Sequence, residues 1–170
     1  MTGVVTETAH TRAWVAWLPT LGRLVLGVVW IVAGYSKITD LDASVRAVRA
    51  YRLLPEIAAQ VVGAGLPVVE VLLGVLLVVG AGVRAGAVVS ALFMAAFMIG
   101  IGSAWARGLQ IDCGCFGSGG QLAQGERPTY GWEMLRDGAL LVLALLLVRW
   151  PAGALSVDGM LAGRREEHGE

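Results

Sequence analysis

Cys113 and Cys115 are the only cysteines in the chain, and they fall within one short run, Asp112-Cys113-Gly114-Cys115-Phe116-Gly117. With one residue between them, the two sulfurs can close a small disulfide or share one soft metal ion, and neither use needs another part of the protein to bring them together. A ring that small is strained and therefore easily reduced. It also constrains little of the unfolded chain, so the pair suits an oxidant or relay better than a permanent staple. Gly114 removes a side chain between the thiols, and Gly117, Gly119 and Gly120 keep the following segment irregular. The pair is therefore expected in a loop. Phe116 either shields the disulfide and docks a partner or anchors the loop in a membrane interface. Met94 and Met98, one turn apart, could add soft donors for Cu(I), although such a pair in an apolar helix is ordinary packing material. His10 and His168 lie in the tails, so no metal set including a histidine is read.

The elements that must carry this loop are those of a membrane protein. The 170 residues are 56% hydrophobic and 15% charged, with a mean hydropathy of +0.71, more apolar surface than a soluble core absorbs. The net charge is zero and no basic stripe with interleaved aromatics occurs, which excludes nucleic acid as a partner class. Residues 1–18 read as a mixed N-terminal tail ending in Trp14 and Trp17 at the bilayer interface. From Pro19 to Ile38 the chain is apolar apart from Arg23 and Lys37, roughly 20 residues and about 30 Å of helix. A cleaved signal peptide ending near Val32-Ala33-Gly34 is the competing reading of this run.

Between Thr39 and Leu54, Leu41, Val45, Val48 and Tyr51 recur at helical spacing while Asp42, Arg46 and Arg49 fall elsewhere around the axis. That pattern predicts a helix lying along the membrane surface, the alternative being a solvated linker. Further spans are predicted over 57–81, containing Pro67 and Glu70, and over 85–106, joined by a tight turn through Gly80 and Gly82. A fourth begins at Pro128 or Thr129 and ends near Trp150-Pro151, with Tyr130, Trp132 and Trp150 expected as interface anchors. Glycines at small-xxx-small spacing favour a compact bundle. Residues 19–150 thus form the membrane domain, and 151–170 a solvated tail. The fold class is all-α: an integral membrane four-helix bundle with an amphipathic surface helix between helices 1 and 2 and a Cys-Gly-Cys loop between helices 3 and 4.

Four spans put both termini on one side and the surface helix and cysteine loop together on the other. Arginine and lysine counts are too even to orient them. A glycine-loop dithiol at a membrane surface has most use in an oxidising compartment, which places the loop outside the cytoplasm, both termini inside, and the protein in a bacterial plasma membrane. Arg107 and Arg127 flank the loop and, with the positive end of the fourth helix, would favour a thiolate, whereas Asp112 opposes one. Deeper down, Glu70 lies roughly 13 Å and Arg136 roughly 9 Å below the loop side, from the rise per residue. An ionisable group inside a bilayer costs at least about 2.5 kcal/mol unless partnered, so Glu70 should face the interior with Arg136 or Lys37 as counter-ion. Glu133, Arg136 and Asp137 share one helix face. This polar cluster either tunes the dithiol and passes protons or is an ion pair fixing helix register.

The runs Ala33-Gly34-Tyr35-Ser36-Lys37-Ile38, Tyr51-Arg52-Leu53-Leu54-Pro55 and Leu66 to Gly74 resemble the DoxX superfamily of small four-helix membrane proteins. Cys113-Gly114-Cys115-Phe116-Gly117, followed by a helix carrying Arg136-Asp137, is similar to its MauE branch, over residues 19–150. The resemblance implies a redox-associated membrane protein working with an extracytoplasmic thioredoxin-fold partner to form or maintain disulfides in client proteins. Exchange needs a thiolate, an accessible disulfide and an exit for electrons. Cys113 and Cys115 supply the first two. With no second cysteine pair in the chain, a partner protein supplies the exit, or a quinone meets the pair directly. Two other functions fit the residues: a soft-metal (Cu or Zn) handling protein using both thiolates, and a non-catalytic assembly subunit in a homo-oligomer or larger membrane complex.

Overall fold

The computed structural model describes residues 3–114, 119–122 and 126–151, with side chains from residue 17 onward. Cys115, Phe116 and Gly117 lie outside the described residues, as does the segment 152–170 expected to be a solvated tail. The elements are α1 (Gly3–Ile38), α2 (Leu41–Ala50), α3 (Glu56–Val79), α4 (Val83–Ala106), β1 (Ile111–Asp112), β2 (Gly120–Gln121) and α5 (Tyr130–Arg149). The segment read as an N-terminal tail is helical from Gly3 and runs without a break into the first span.

Three stretches are long and apolar enough to cross a bilayer, Trp17–Ile38, Glu56–Val79 and Val83–Ala106. The fourth, α5, carries Glu133, Arg136 and Asp137 in its first two turns, which lowers its hydropathy. Glu133 and Asp137 are buried, however, and the outward positions of α5 include Leu135, Val142 and Leu145. All four helices present an apolar belt outward, for example Val25, Val28 and Val32 on α1 and Leu72, Val75 and Val79 on α3. A bundle that is apolar outside and partly polar inside is what a lipid solvent selects. The protein is an integral membrane four-helix bundle.

The bundle is assembled from two close pairs, α1 with α3 and α4 with α5. In lipid such pairs gain by close approach of backbones rather than by hydrophobic burial. A Cβ on Gly74 would lie 2.6 Å from the carbonyl oxygen of Gly27, and one on Gly27 would lie 2.9 Å from that of Gly74; only glycine fits at this crossing. The turn between the pairs forms where expected, with Gly80 in the left-handed region (φ 78°) closing α3. The core joins both pairs through Leu26, Trp30, Leu73, Leu77, Met94 and Leu147. Met94 thus serves as packing, and Trp30 stacks edge-on to Phe93 at 5.7 Å. Its indole N–H donates to Ser90 Oγ at 2.9 Å.

Helix α2 is docked on α3 with its buried side turned part-way from the predicted face. Of that face Val45 is buried and Val48 and Tyr51 are half-buried, with Asp42, Arg46 and Arg49 exposed as expected, but Leu41 is exposed and Ala43, Ser44 and Ala47 are buried instead. The reason is steric: Gly63 leaves a groove into which α2 settles, and a Cβ there would lie 2.5 Å from Val45 Cα. Small side chains enter such a groove and leucine does not. A second contact fixes the docking chemically. Pro67, inside α3, has no N–H, so the carbonyl of Gly63 one turn earlier loses its helical donor. Ser44 Oγ donates to that carbonyl at 2.7 Å.

Candidate functional site

The loop between α4 and α5 is a two-stranded antiparallel hairpin, with Ile111 opposite Gln121 and Asp112 opposite Gly120. Sequence reasoning expected an irregular loop here; two residues per strand are too few to leave an alternating pattern. Gly114 adopts a left-handed conformation (φ 71°) and lies against Gly119, and both abut Ala47 of α2. A Cβ on Gly114 would lie 2.9 Å from Ala47 Cβ, and one on Gly119 only 2.5 Å from it. The glycine between the cysteines therefore lets the hairpin close onto α2.

Cys113 follows β1 directly and is buried, packed with Ile101, Ala104, Ile111 and Tyr130. Its carbonyl accepts a hydrogen bond from the Tyr51 hydroxyl at 3.1 Å. Asp112 Oδ1 accepts the Gly114 N–H at 3.2 Å. Tyr130, expected as an interface anchor, is instead a buried support for the hairpin. Its hydroxyl donates to the Leu109 carbonyl at 2.6 Å and accepts the Ile111 N–H at 3.2 Å. An amphipathic ring satisfies either site, and here the polar tip finds backbone rather than headgroups. Trp132 and Trp150 are exposed, as anchors require.

The cation beside the sulfur is Arg136, whose Nη2 lies 3.8 Å from Cys113 Sγ while its Nε donates to Asp137 Oδ1 at 2.9 Å. Arg107 is turned elsewhere: its guanidinium donates to the carbonyls of Ser103 and Tyr51, tying α4 to the end of α2. Arg127 is exposed. Glu133, one turn before Asp137, approaches Cys113 from the first turn of α5. One ligand atom from each of Asp112, Cys113 and Glu133 lies within 4.8 Å of the others. Two carboxylates with one thiolate make a harder donor set than Cu(I) selects, and with Met94 in the core the soft-metal alternative gains nothing from α4.

Glu70 is fully buried and pairs with Lys37, whose Nζ donates to both carboxylate oxygens at 2.7 and 2.8 Å. Depth along the bundle allowed Lys37 or Arg136 as counter-ion; the rotation of the helices selects Lys37, because Arg136 is committed to Asp137 and Cys113. A cavity of about 60 Å³ lies between the hairpin, α2 and the bundle, with Lys37, Ser44, Tyr51, Phe97 and Cys113 on its walls. Glu70 and Asp137 line a smaller one of about 10 Å³ below it. The upper cavity has room for a few water molecules, well short of the roughly 300 Å³ at which ligand pockets begin; it is not a preformed quinone pocket.

The segment that carries this arrangement, a hairpin between the third and fourth spans whose buried cysteine meets charged residues of the fourth, falls within the reach of a known family. The family model described as "Methylamine utilisation protein MauE" matches residues 14–149. The chain belongs to the MauE family. Two MauE relatives cover most of it. The methylamine utilization protein MauE of Paracoccus denitrificans is 34% identical over 148 residues, 83% of this chain and 77% of the relative. That of Paracoccus versutus is 32% identical over 149 residues, with the same shares covered. No solved structure matches significantly. The MauE match embraces all four spans, α2 and the hairpin, so the site described here lies wholly within the family's extent. Tyr51, Ser44 and Ala47 are the parts of this MauE site that sequence reasoning did not identify. A proline inside α3 signals a freed carbonyl, but not which hydroxyl reaches it.

Proposed function

We propose that the protein is a membrane thiol–disulfide exchange subunit in which Cys113 and Cys115 cycle between dithiol and disulfide with an extracytoplasmic thioredoxin-fold partner. The observation that carries this reading is the setting of Cys113: a buried sulfur with an arginine guanidinium 3.8 Å away, on a hairpin seated against α2. A cation beside sulfur favours the thiolate, the reactive form in exchange. A cysteine retained only for packing has no use for that neighbour. The partner docks on the hairpin and α2, outside the bacterial plasma membrane, with both termini in the cytoplasm. Electrons pass between the pair and that partner, in support of disulfide formation or maintenance in client proteins. The chain has no second cysteine pair to pass oxidation onward, so a partner protein supplies the electron exit.

The test is the redox state of the pair in intact cells, read as a gel shift with a bulky maleimide before and after a membrane-impermeant reductant. An oxidised pair that is reducible from outside supports both the chemistry and the orientation, and single Cys113→Ser and Cys115→Ser variants should then trap a mixed disulfide with the partner. A pair already reduced and freely reactive under oxidising growth overturns the reading.

A further inference from the structure

Disulfide exchange by Cys113 requires its proton to go somewhere, and the sulfur is held away from bulk water. Charged and titratable groups face it from several elements. Asp112 adjoins it on β1, and Glu133, Arg136 and Asp137 approach from α5. Lys37 of α1 lies across the cavity, committed to Glu70, and Tyr51 follows α2 with its hydroxyl on the Cys113 carbonyl. Arg107 of α4 is turned to the Tyr51 carbonyl. Of these groups, Glu133 combines three properties. Only 5% of it is exposed. Its Oε1 accepts the Thr129 hydroxyl at 3.2 Å, while its Oε2 has no hydrogen-bond partner among the described residues. The Cys113 sulfur lies within 4.8 Å of its carboxylate. A buried carboxylate oxygen left without a donor is costly, and a proton arriving from the neighbouring thiol would remove that cost. Asp137 also has an uncommitted oxygen, but its other oxygen is held by Arg136, and it lines the deeper cavity with Glu70.

We propose that Glu133 is the catalytic acid–base that takes the thiol proton of Cys113 as this sulfur becomes the attacking thiolate, with Arg136 holding the charge on sulfur. The inference rests on the exchange reading and names its proton acceptor. In the step, the Cys113 S–H proton passes to Glu133, and the sulfur's electron pair attacks one sulfur of a protein disulfide. That S–S bond breaks as a new one forms to Cys113. The displaced sulfur leaves as a thiolate and takes the proton back from Glu133. The same step in reverse regenerates the Cys113 thiol. Two acids this close share their protons, so the pair should titrate as a coupled unit in two steps rather than as one thiol.

The experiment measures the rate of iodoacetamide alkylation of Cys113 against pH, using full-length protein with Cys115→Ser in lipid nanodiscs. The Glu133 protein should give a two-step profile and Glu133→Gln a single step. Exchange with a small aromatic disulfide should slow about a hundredfold in Glu133→Gln, the lower range of general acid–base effects. Glu133→Asp, which keeps the acid, should retain two steps and recover part of the rate. Superimposable profiles for the parent and Glu133→Gln, or an unchanged exchange rate, overturn the inference. The in-cell redox state separates this inference from the reading it rests on. A pair that cycles in cells but shows a single-step profile removes Glu133 from the mechanism and leaves the exchange function. A two-step profile in a pair that never oxidises leaves the proton coupling and removes the function.

Discussion

Removing the Ser44 hydroxyl should cost stability only because Pro67 is where it is. Pro67 deprives the Gly63 carbonyl of its helical donor, and Ser44 Oγ supplies one at 2.7 Å in a buried setting. Ser44→Ala therefore leaves a buried carbonyl unsatisfied, which costs about 1–3 kcal/mol in soluble proteins. Interhelical side-chain hydrogen bonds within membranes average nearer 0.6 kcal/mol, reaching about 1.7. The Gly63 carbonyl has no helical alternative, which places Ser44→Ala toward the upper end, about 1.5 kcal/mol. In a Pro67→Ala background the residue at 67 has an N–H again and the α3 ladder can close on Gly63. There the second substitution should cost about 0.5 kcal/mol or less, so the coupling between the two positions is about 1 kcal/mol, above the usual error of additivity. The four proteins of the cycle would be unfolded from mixed micelles with increasing denaturing detergent, with hydrogen exchange over 41–50 as a local readout of α2 docking. Equal costs of Ser44→Ala with proline and with alanine at 67 would refute the reasoning.

Gly63→Ala and Gly65→Ala, two residues apart on α3, should behave oppositely. The first drives a methyl to within 2.5 Å of Val45 Cα and should cost about 1–3 kcal/mol and loosen α2; the second meets nothing within 4 Å and should be neutral or stabilising by up to about 1 kcal/mol. Proteolysis and detergent unfolding read both, and a Gly63→Ala protein as stable as the Gly65→Ala protein would contradict the packing of α2. Lys37→Met strands the buried Glu70 carboxylate and should cost about 3–5 kcal/mol, whereas Lys37→Met with Glu70→Leu should recover most of that loss. A double variant no more stable than the single one would mean that the two side chains are not each other's partner.

The spans were legible because a bilayer demands long uncharged runs, and the runs ending near Ile38, Val79 and Ala106 have few competing readings. Even α5, the least apolar, was legible from its Leu-rich second half. What composition leaves undetermined is rotation about each helix. The spacing of Leu41, Val45, Val48 and Tyr51 defines an apolar face of which Val45 is buried against Gly63, yet the turn of α2 that exposes Leu41 and buries Ala43, Ser44 and Ala47 is set by the missing side chain at Gly63, a feature of another helix. For Glu70, depth was calculable from the rise per residue, and two cations fitted it; azimuth chose Lys37. Arg107 and Arg136 are both near the loop in sequence terms, but only Arg136 sits on the inward face of its helix. The spacing singled out Cys113 as a residue, whereas the Tyr51, Tyr130 and Glu133 contacts around it depend on how the hairpin folds back on α2 and α5.

Three charged residues within the first two turns of α5 also bear on how the chain enters the bilayer. At the centre of an isolated helix, Asp or Arg costs about 2.5–3.5 kcal/mol on insertion scales, with less near an end. The uncharged run from Gly138 to Val148 spans only about 16 Å at the helical rise, roughly half the hydrocarbon thickness. Alone, then, α5 is a poor substrate for the insertion machinery. Paired with α4, against which it packs closely, it turns Glu133 and Asp137 inward and presents its leucines to lipid. The last two spans are thus best inserted as one helical hairpin. A chain whose α5 stayed behind would display the cysteine loop without Glu133 or Arg136 beside it, so biogenesis of the membrane domain and assembly of the site are the same event.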